Sequence, residues 1–311
     1  MPYNFPFNVD APQAARRVNG TLKFAPAKGR AMKQQGLVIF AFIAMVVTIP
    51  VLAQGRRYQG NEAGMDRPRW GTPGPVACAI GRWPDCDIQQ AFARGLVETG
   101  LNPVFPAQAK CRGIDEGYAI DYTAKRDREQ YHGGIDMPAP WGTPMIAAAA
   151  GTVVGKFSGE KSFRGIEIVL RHSPDDTGIP LWTYTQYAHC SEMPALELGQ
   201  RVRMGDRICP TGNTGIGLTG VQSNRRRPAI HFAAFFSTSE RYVEVRNVII
   251  PAEGYWMDPI ALFRKTLPLD SNSMKALPEA EKQVQISIMF DDGKTFPADT
   301  RIVWPYTCTR R

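Results

Sequence analysis

Beyond about residue 130 the chain is written in short apolar runs separated by glycine and proline: Gly151 to Lys156, Arg164 to Arg171, Leu181 to His189, Arg207 to Thr211 and Ala229 to Phe236. Runs of this length, with turn formers between them, predict the strands of an antiparallel sheet protein. The stretch before them reads differently. Residues 86–98 (CDIQQAFARGLVE) predict one short helix, which the proline-containing segment up to Lys110 ends. Near the other end, QVQISIMF is followed by DDGK and a further apolar stretch to Trp304, and the DDG turn predicts a closing hairpin. No internal repeat or heptad is visible, so the chain is mainly β with irregular extensions on either side.

One apolar run departs from this pattern. Leu37 to Ala53 (LVIFAFIAMVVTIPVLA) carries no charge and is close to the minimum of about 17 residues for a membrane-spanning helix. Basic residues ahead of such a run stay in the cytoplasm, so everything after residue 54 is expected outside it. Two versions stay open. Pro50 breaks the helix, and Val51 with Ala53 form a small-residue cleavage pattern, as in a signal peptide. With Met1 as the start, residues 1–36 are a basic cytoplasmic tail and 37–53 an uncleaved signal anchor. If translation instead begins at Met32, the start is mis-assigned and Met32-Lys33-Gln34-Gln35 is an ordinary leader. Either version predicts a periplasmic protein, and the anchor version one held in the inner membrane.

Charge matters mainly through its location. The net charge of +8 would suggest a nucleic-acid partner, but residues 1–36 hold Arg16, Arg17, Lys23, Lys28, Arg30 and Lys33 against Asp10 alone. Little excess remains for the rest, and no nucleic acid is expected. All six cysteines, Cys78, Cys86, Cys111, Cys190, Cys209 and Cys308, follow the apolar run. An even number confined to the exported part predicts disulfides, with Cys78 and Cys86 spaced for a local loop; sequence does not choose the pairing.

Candidate chemistry gathers at YHGGIDMPAPWGTP, residues 131–144. Two glycines disfavour a helix through His132 to Asp136, so the segment is expected to be extended or bulged. In a strand His132, Gly134 and Asp136 face one way. The glycine leaves a gap that an imidazole nitrogen and a carboxylate oxygen can flank, as a small cation requires. A further donor must come from elsewhere, and only His172, His189 and His231 remain. His231 lies in PAIHFAAFF, an apolar strand where a histidine needs a partner.

The order HGGIDMPAPWGTPMIAAAAGTV, YAHCS at 187–191, LGQRVRMGDRICPTGNTG at 198–215, IHF at 230–232 and WMDPI at 256–260 resembles the lysostaphin-type zinc metalloendopeptidases, which cut peptide bonds in bacterial peptidoglycan. The resemblance implies an antiparallel β-sheet metallopeptidase domain at 130–264. It implies Zn2+ held by His132, Asp136 and His231, with His189 catalytic and water in the fourth position. It leaves 54–129 as linker and N-terminal extension and 265–311 as a C-terminal extension with a hairpin.

The chain departs from the family in one block. Where the family presents H-x-H, this chain has Ala229-Ile230-His231, so the first catalytic position is vacant, and VQSNRRRP at 221–228 reads as an insertion just before it. Losing a positioned proton-transfer group costs about 10²- to 10⁴-fold. His172 and the arginines 225–227 are the conceivable substitutes. Cys190 beside His189 does not make a dyad, because neighbours on a strand face opposite ways. The resemblance thus implies a weakened zinc endopeptidase acting on peptidoglycan peptides, anchored to the inner membrane through 37–53 and able to serve a larger envelope-spanning assembly. The alternative is a degenerate zinc domain that binds peptidoglycan or an envelope protein as a scaffold or regulator.

Overall fold

The computed structural model describes residues 74–120, 131–159, 162–215 and 227–311. The basic tail, the apolar run 37–53, the linker up to residue 73 and most of the inserted stretch 221–228 lie outside these residues. Among the described residues no helix is long and apolar enough to cross a membrane.

The β-branched and aromatic runs pair into one antiparallel sheet of seven strands: β1 (Ile135–Pro138), β2 (Gly151–Phe157), β3 (Ile166–His172), β4 (Trp182–Cys190), β5 (Arg201–Val202), β6 (Ala229–Ser237) and β7 (Tyr255–Met257). Their spatial order is β7-β6-β4-β3-β2-β5, and β1 shares with β7 the outer edge of β6. Strand ends differ from the sequence expectation by a residue or two. β6 joins the candidate donors, since its His231 is opposite Asp136 on β1 and opposite Ala188 on β4. Its residues are almost all buried, which explains why the run shows no polar alternation.

Two local expectations differ from the structure. The strand β1 starts only at Ile135, and residues 133 and 134 form a bend rather than extended chain. The helix within 86–98 covers only Ile88–Ala93. It stops because Gly95 turns to φ +92°, and a methyl there would lie 2.9 Å from the Trp256 carbonyl oxygen.

The extensions are also more ordered than the sequence suggested. Helix Pro75–Gly81 packs beside the Ile88–Ala93 helix, with Cys78 and Cys86 bridged between them. Asn102–Val104 pairs in parallel with Gln283–Gln285, and Ala109–Lys110 pairs antiparallel with Thr309–Arg310. A disulfide joins Cys111 to Cys308 across 197 residues. Ile288–Met289 and Thr295–Phe296 form the hairpin around Asp291-Asp292-Gly293. One continuous core includes Ile80 and Leu96 from the N-terminal side, Ile168, Tyr187 and Phe232 from the sheet, and Trp304 and Tyr306 from the C-terminal side.

Candidate metal centre

Three elements bring the donors together. Asp136 sits on β1 and His231 opposite it on β6, while His132 is carried back towards them by the bend at Gly133 and Gly134. Both glycines are required by space. A methyl on Gly134 would lie 2.6 Å from the Phe232 carbonyl oxygen and 2.9 Å from the His231 ring, and one on Gly133 would strike the Trp256 ring. The His132 main chain is fastened on its other side to the N-terminal extension, since its N–H donates to Ile120 O (3.0 Å) and its carbonyl accepts from Ala119 N (2.7 Å).

The resulting triangle is tight. His132 Nε2 lies 3.1 Å from Asp136 Oδ1 and 2.8 Å from His231 Nδ1, which is itself 3.0 Å from the same carboxylate oxygen. All three residues are buried. His132 Nδ1 is 3.0 Å from Gly117 O. A carbonyl can only accept, so Nδ1 carries the proton, and Nε2 of a neutral His132 presents a lone pair to the triangle. Lone pairs converging at these distances repel unless a cation stands among them. A tetrahedral zinc with bonds of about 2.0 Å separates its donors by roughly 3.3 Å, and the nitrogen and oxygen donor set suits that ion. The residues therefore fit zinc. Burial would push the Asp136 carboxyl up, but the two imidazoles beside it, His132 first, hold it well below the usual carboxylate range.

His189 stands beside the triangle, with its ring centroid 5.8 Å from that of His231. It is the penultimate residue of β4, yet its φ is +63°, so the strand turns out of line there. The bulge is held by His189 N–H to Arg164 O and Gly212 N–H to His189 O, both 2.9 Å. Nδ1 donates to Thr214 O at 2.7 Å, so in the neutral ring the lone pair that can take up a proton is on Nε2. Cys190 is bonded to Cys209, so it supplies no thiol.

Ala229 is buried two residues before His231 on β6, its N–H donating to Gly212 O at 3.1 Å. Among the described residues, the suggested substitutes His172 and Arg227 are both engaged elsewhere. His172 is wholly buried with both nitrogens engaged, Nδ1 with Ala150 O (2.6 Å) and Nε2 with Thr185 Oγ1 (2.7 Å); burial pushes it down to about 4. Arg227 pairs with Asp115, and Arg225 and Arg226 lie outside the described residues.

Some neighbours had no signal in the sequence. Tyr306, from the C-terminal extension, is buried and donates its hydroxyl to Thr211 Oγ1 at 2.6 Å, while Thr211 donates to Thr143 O at 2.7 Å. The same hydroxyl meets the Ile230 amide, next to Ala229. Burial pushes this phenol up to about 12, and the Asp136 charge adds to the rise.

A family model described as Peptidase family M23 matches residues 130–242. A Haemophilus influenzae protein named an uncharacterized metalloprotease is 34% identical over 126 residues, 40% of this chain and 22% of that protein. The uncharacterized lipoprotein YgeR of Escherichia coli is 37% identical over 81 residues, 26% of this chain and 29% of that protein. The chain thus spans less than a third of the length of either relative. Among solved structures, the catalytic domain of the antimicrobial peptidase lysostaphin from Staphylococcus simulans is 22% identical, over 42% of this chain and 84% of that one, with a TM-score of 0.32. A zinc containing peptidase from Vibrio cholerae is 24% identical, over 42% of this chain and 35% of that one, with a TM-score of 0.31. Residues 130–242, which carry the buried donor triangle at the end of the sheet, are thus the part of the chain that resembles peptidase family M23.

Proposed function

We propose that this chain is a zinc-dependent endopeptidase that cleaves peptide bonds of bacterial peptidoglycan outside the inner membrane. The observation that carries the reading is the convergence of His132, Asp136 and His231 within an M23 domain, with His189 beside them. Zinc in that triangle would supply Lewis-acid polarisation and a nucleophile at neutral pH. The protein residues do the remaining work. His132 is oriented by Gly117 and His189 by Thr214, so neither ring needs to reorganise during reaction. Water adds to the scissile carbonyl as His189 Nε2 takes its proton, the C–N bond breaks, and the same nitrogen delivers that proton to the departing amine. Three disulfides and a relative named as a lipoprotein support an envelope location, periplasmic and anchored through residues 37–53.

Ala229 supports a second reading, a degenerate zinc domain that holds peptidoglycan without cutting it. One experiment separates the two. Zinc-loaded full-length protein is incubated with purified peptidoglycan, and released peptides are counted beside protein that sediments with the wall. The enzyme reading expects slow release that His189→Ala abolishes at equal zinc content. Folded, zinc-loaded protein that sediments with the wall and releases nothing would leave the binding role in its place.

A further inference from the structure

The sheet face that carries the donors does not end at the metal centre. Side chains alternate along β6, so His231, Ala233 and Phe235 share a face with their cross-strand partners Ala188, Gln186 and Trp256. The Phe235 and Trp256 rings lie 4.6 Å apart on it. At Trp256 this face meets the N-terminal extension. Trp256 Nε1 donates to Ala79 O and its main-chain N–H to Arg94 O, both at 2.8 Å. Residues 75–95 therefore close the face on that side of the donors.

Two guanidinium groups stand at this closure. Arg82 lies over the Trp256 ring, 5.0 Å from its centroid, and its Nη1 donates to the carbonyl of Tyr131, the residue before the donor His132. The absence of a side chain at Gly133 admits it, since a methyl there would lie 2.7 Å from Nη2. Arg82 Nε is sealed from solvent without a hydrogen-bond partner, and no carboxylate among the described residues pairs with this arginine. Arg164, whose carbonyl holds the His189 bulge, pairs through Nε with Glu167 at 3.1 Å, and Gln186 donates to that same Glu167 oxygen. Arg164 is close enough to disfavour the Arg82 charge; with burial the larger cause, Arg82 falls to about 10, still protonated at neutral pH. Glu167 is thus the counterion of Arg164, and none of the described carboxylates pairs with Arg82. An enclosed charge without a counterion is costly, and an arriving anion would relieve the cost. Guanidinium is the cation whose planar fork matches a carboxylate.

We infer that Arg82 and Arg164 form a receptor for a free carboxylate of the bound peptide, at the end of the sheet face that residues 75–95 close. The inference rests on the reading that this face takes peptides. Because Arg82 holds the residue next to a metal donor, and a peptide residue spans about 3.3 Å, the carboxylate belongs to a residue within about two positions of the bond cleaved. The enzyme would thus favour peptides with a free acid near that bond over long uncharged chains.

The test uses the full-length, zinc-loaded protein and two probes: a synthetic peptidoglycan stem tetrapeptide with free carboxyl groups, and the same peptide with every carboxyl amidated. Calorimetric titration should show the free acid bound at least about tenfold more tightly by wild type. The preference should fall below about twofold in Arg82→Gln and persist in part in Arg82→Lys, with zinc content unchanged. Equal affinity of wild type for the two probes, or binding of neither, overturns the inference whether or not any variant folds. So does a preference that Arg82→Gln leaves intact. Hydrolysis of both probes at equal rates keeps the endopeptidase reading and removes the carboxylate receptor. Arg82-dependent preference without hydrolysis of either probe does the reverse.

Discussion

At the scale of single residues, the chemistry turns on a methyl group. Ala229 lies two residues before His231 on one strand face, so an imidazole placed there would project beside the donors. Ala229→His should raise peptide release from peptidoglycan by at least about tenfold, within the range that a proton-transfer or oxyanion partner contributes. His189→Ala should abolish the activity of both proteins. Clear wild-type activity with no gain in Ala229→His would show that another group already fills the position. A second residue-scale effect concerns stability. Asp258 is buried, its oxygens accepting from Thr99 Oγ1 and from Ile260 N (2.9 Å). Burial outweighs these bonds and pushes its carboxyl from 3.8 up to about 6. A raised folded-state value means that the contribution is full below the unfolded value and is lost as pH rises through about 6. Relative to Asp258→Asn, wild type should lose on the order of 2 kcal/mol between about pH 4.5 and about pH 7.5. Urea titrations at both values check this, and parallel pH profiles of the two proteins would refute it. The donors were legible in the sequence because glycine pairs, a carboxylate and histidines fell in a spaced, ordered set. Tyr306 and Arg82 were not, since each reaches the site from an extension far away in the chain and carries no local motif.

Among the elements, the strands were readable because a buried antiparallel sheet selects β-branched and aromatic runs bounded by turn formers. The bend at Gly133 and Gly134 and the bulge at His189 were not, because both are imposed by partners distant in sequence: Trp256 and Phe232 against the glycines, Arg164 and Gly212 around the histidine. Disulfide pairing was similarly closed to sequence. Cys78–Cys86 spans 8 residues, whereas Cys111–Cys308 spans 197 and ties the two extensions together beside two short strand pairs. A longer closed loop restricts the unfolded chain more. The double substitution Cys111→Ser with Cys308→Ser should therefore cost about 2–5 kcal/mol. Replacing Cys78 and Cys86 together should cost less. Calorimetric melting of both variants reads the order directly, and a larger loss from the short bridge would contradict it.

On the scale of the whole molecule, the segments outside the family match complete the core rather than decorate it. Val303 N donates to Ala148 O at 2.7 Å, and Ile146 N to Pro305 O at 2.9 Å, so the C-terminal chain runs against the loop between the short strand Pro144–Ile146 and β2. Trp304, fully buried, donates from Nε1 to Arg112 O at 2.9 Å, and Trp256 is capped by Ala79. A fragment trimmed to residues 130–264 would uncover these contacts and lose the burial of Ile80, Leu96, Trp304 and Tyr306. Large apolar side chains contribute about 1.5–3 kcal/mol each when buried, and whole domains are stable by only about 5–15 kcal/mol. The fragment 130–264 should accordingly bind a hydrophobic dye and melt without a cooperative transition, while 74–311 melts cooperatively and keeps its zinc. If 130–264 instead unfolds in one sharp transition within a few degrees of 74–311, the extensions are ornaments on a self-sufficient domain, and their hold on the sheet face at Trp256 loses its energetic basis.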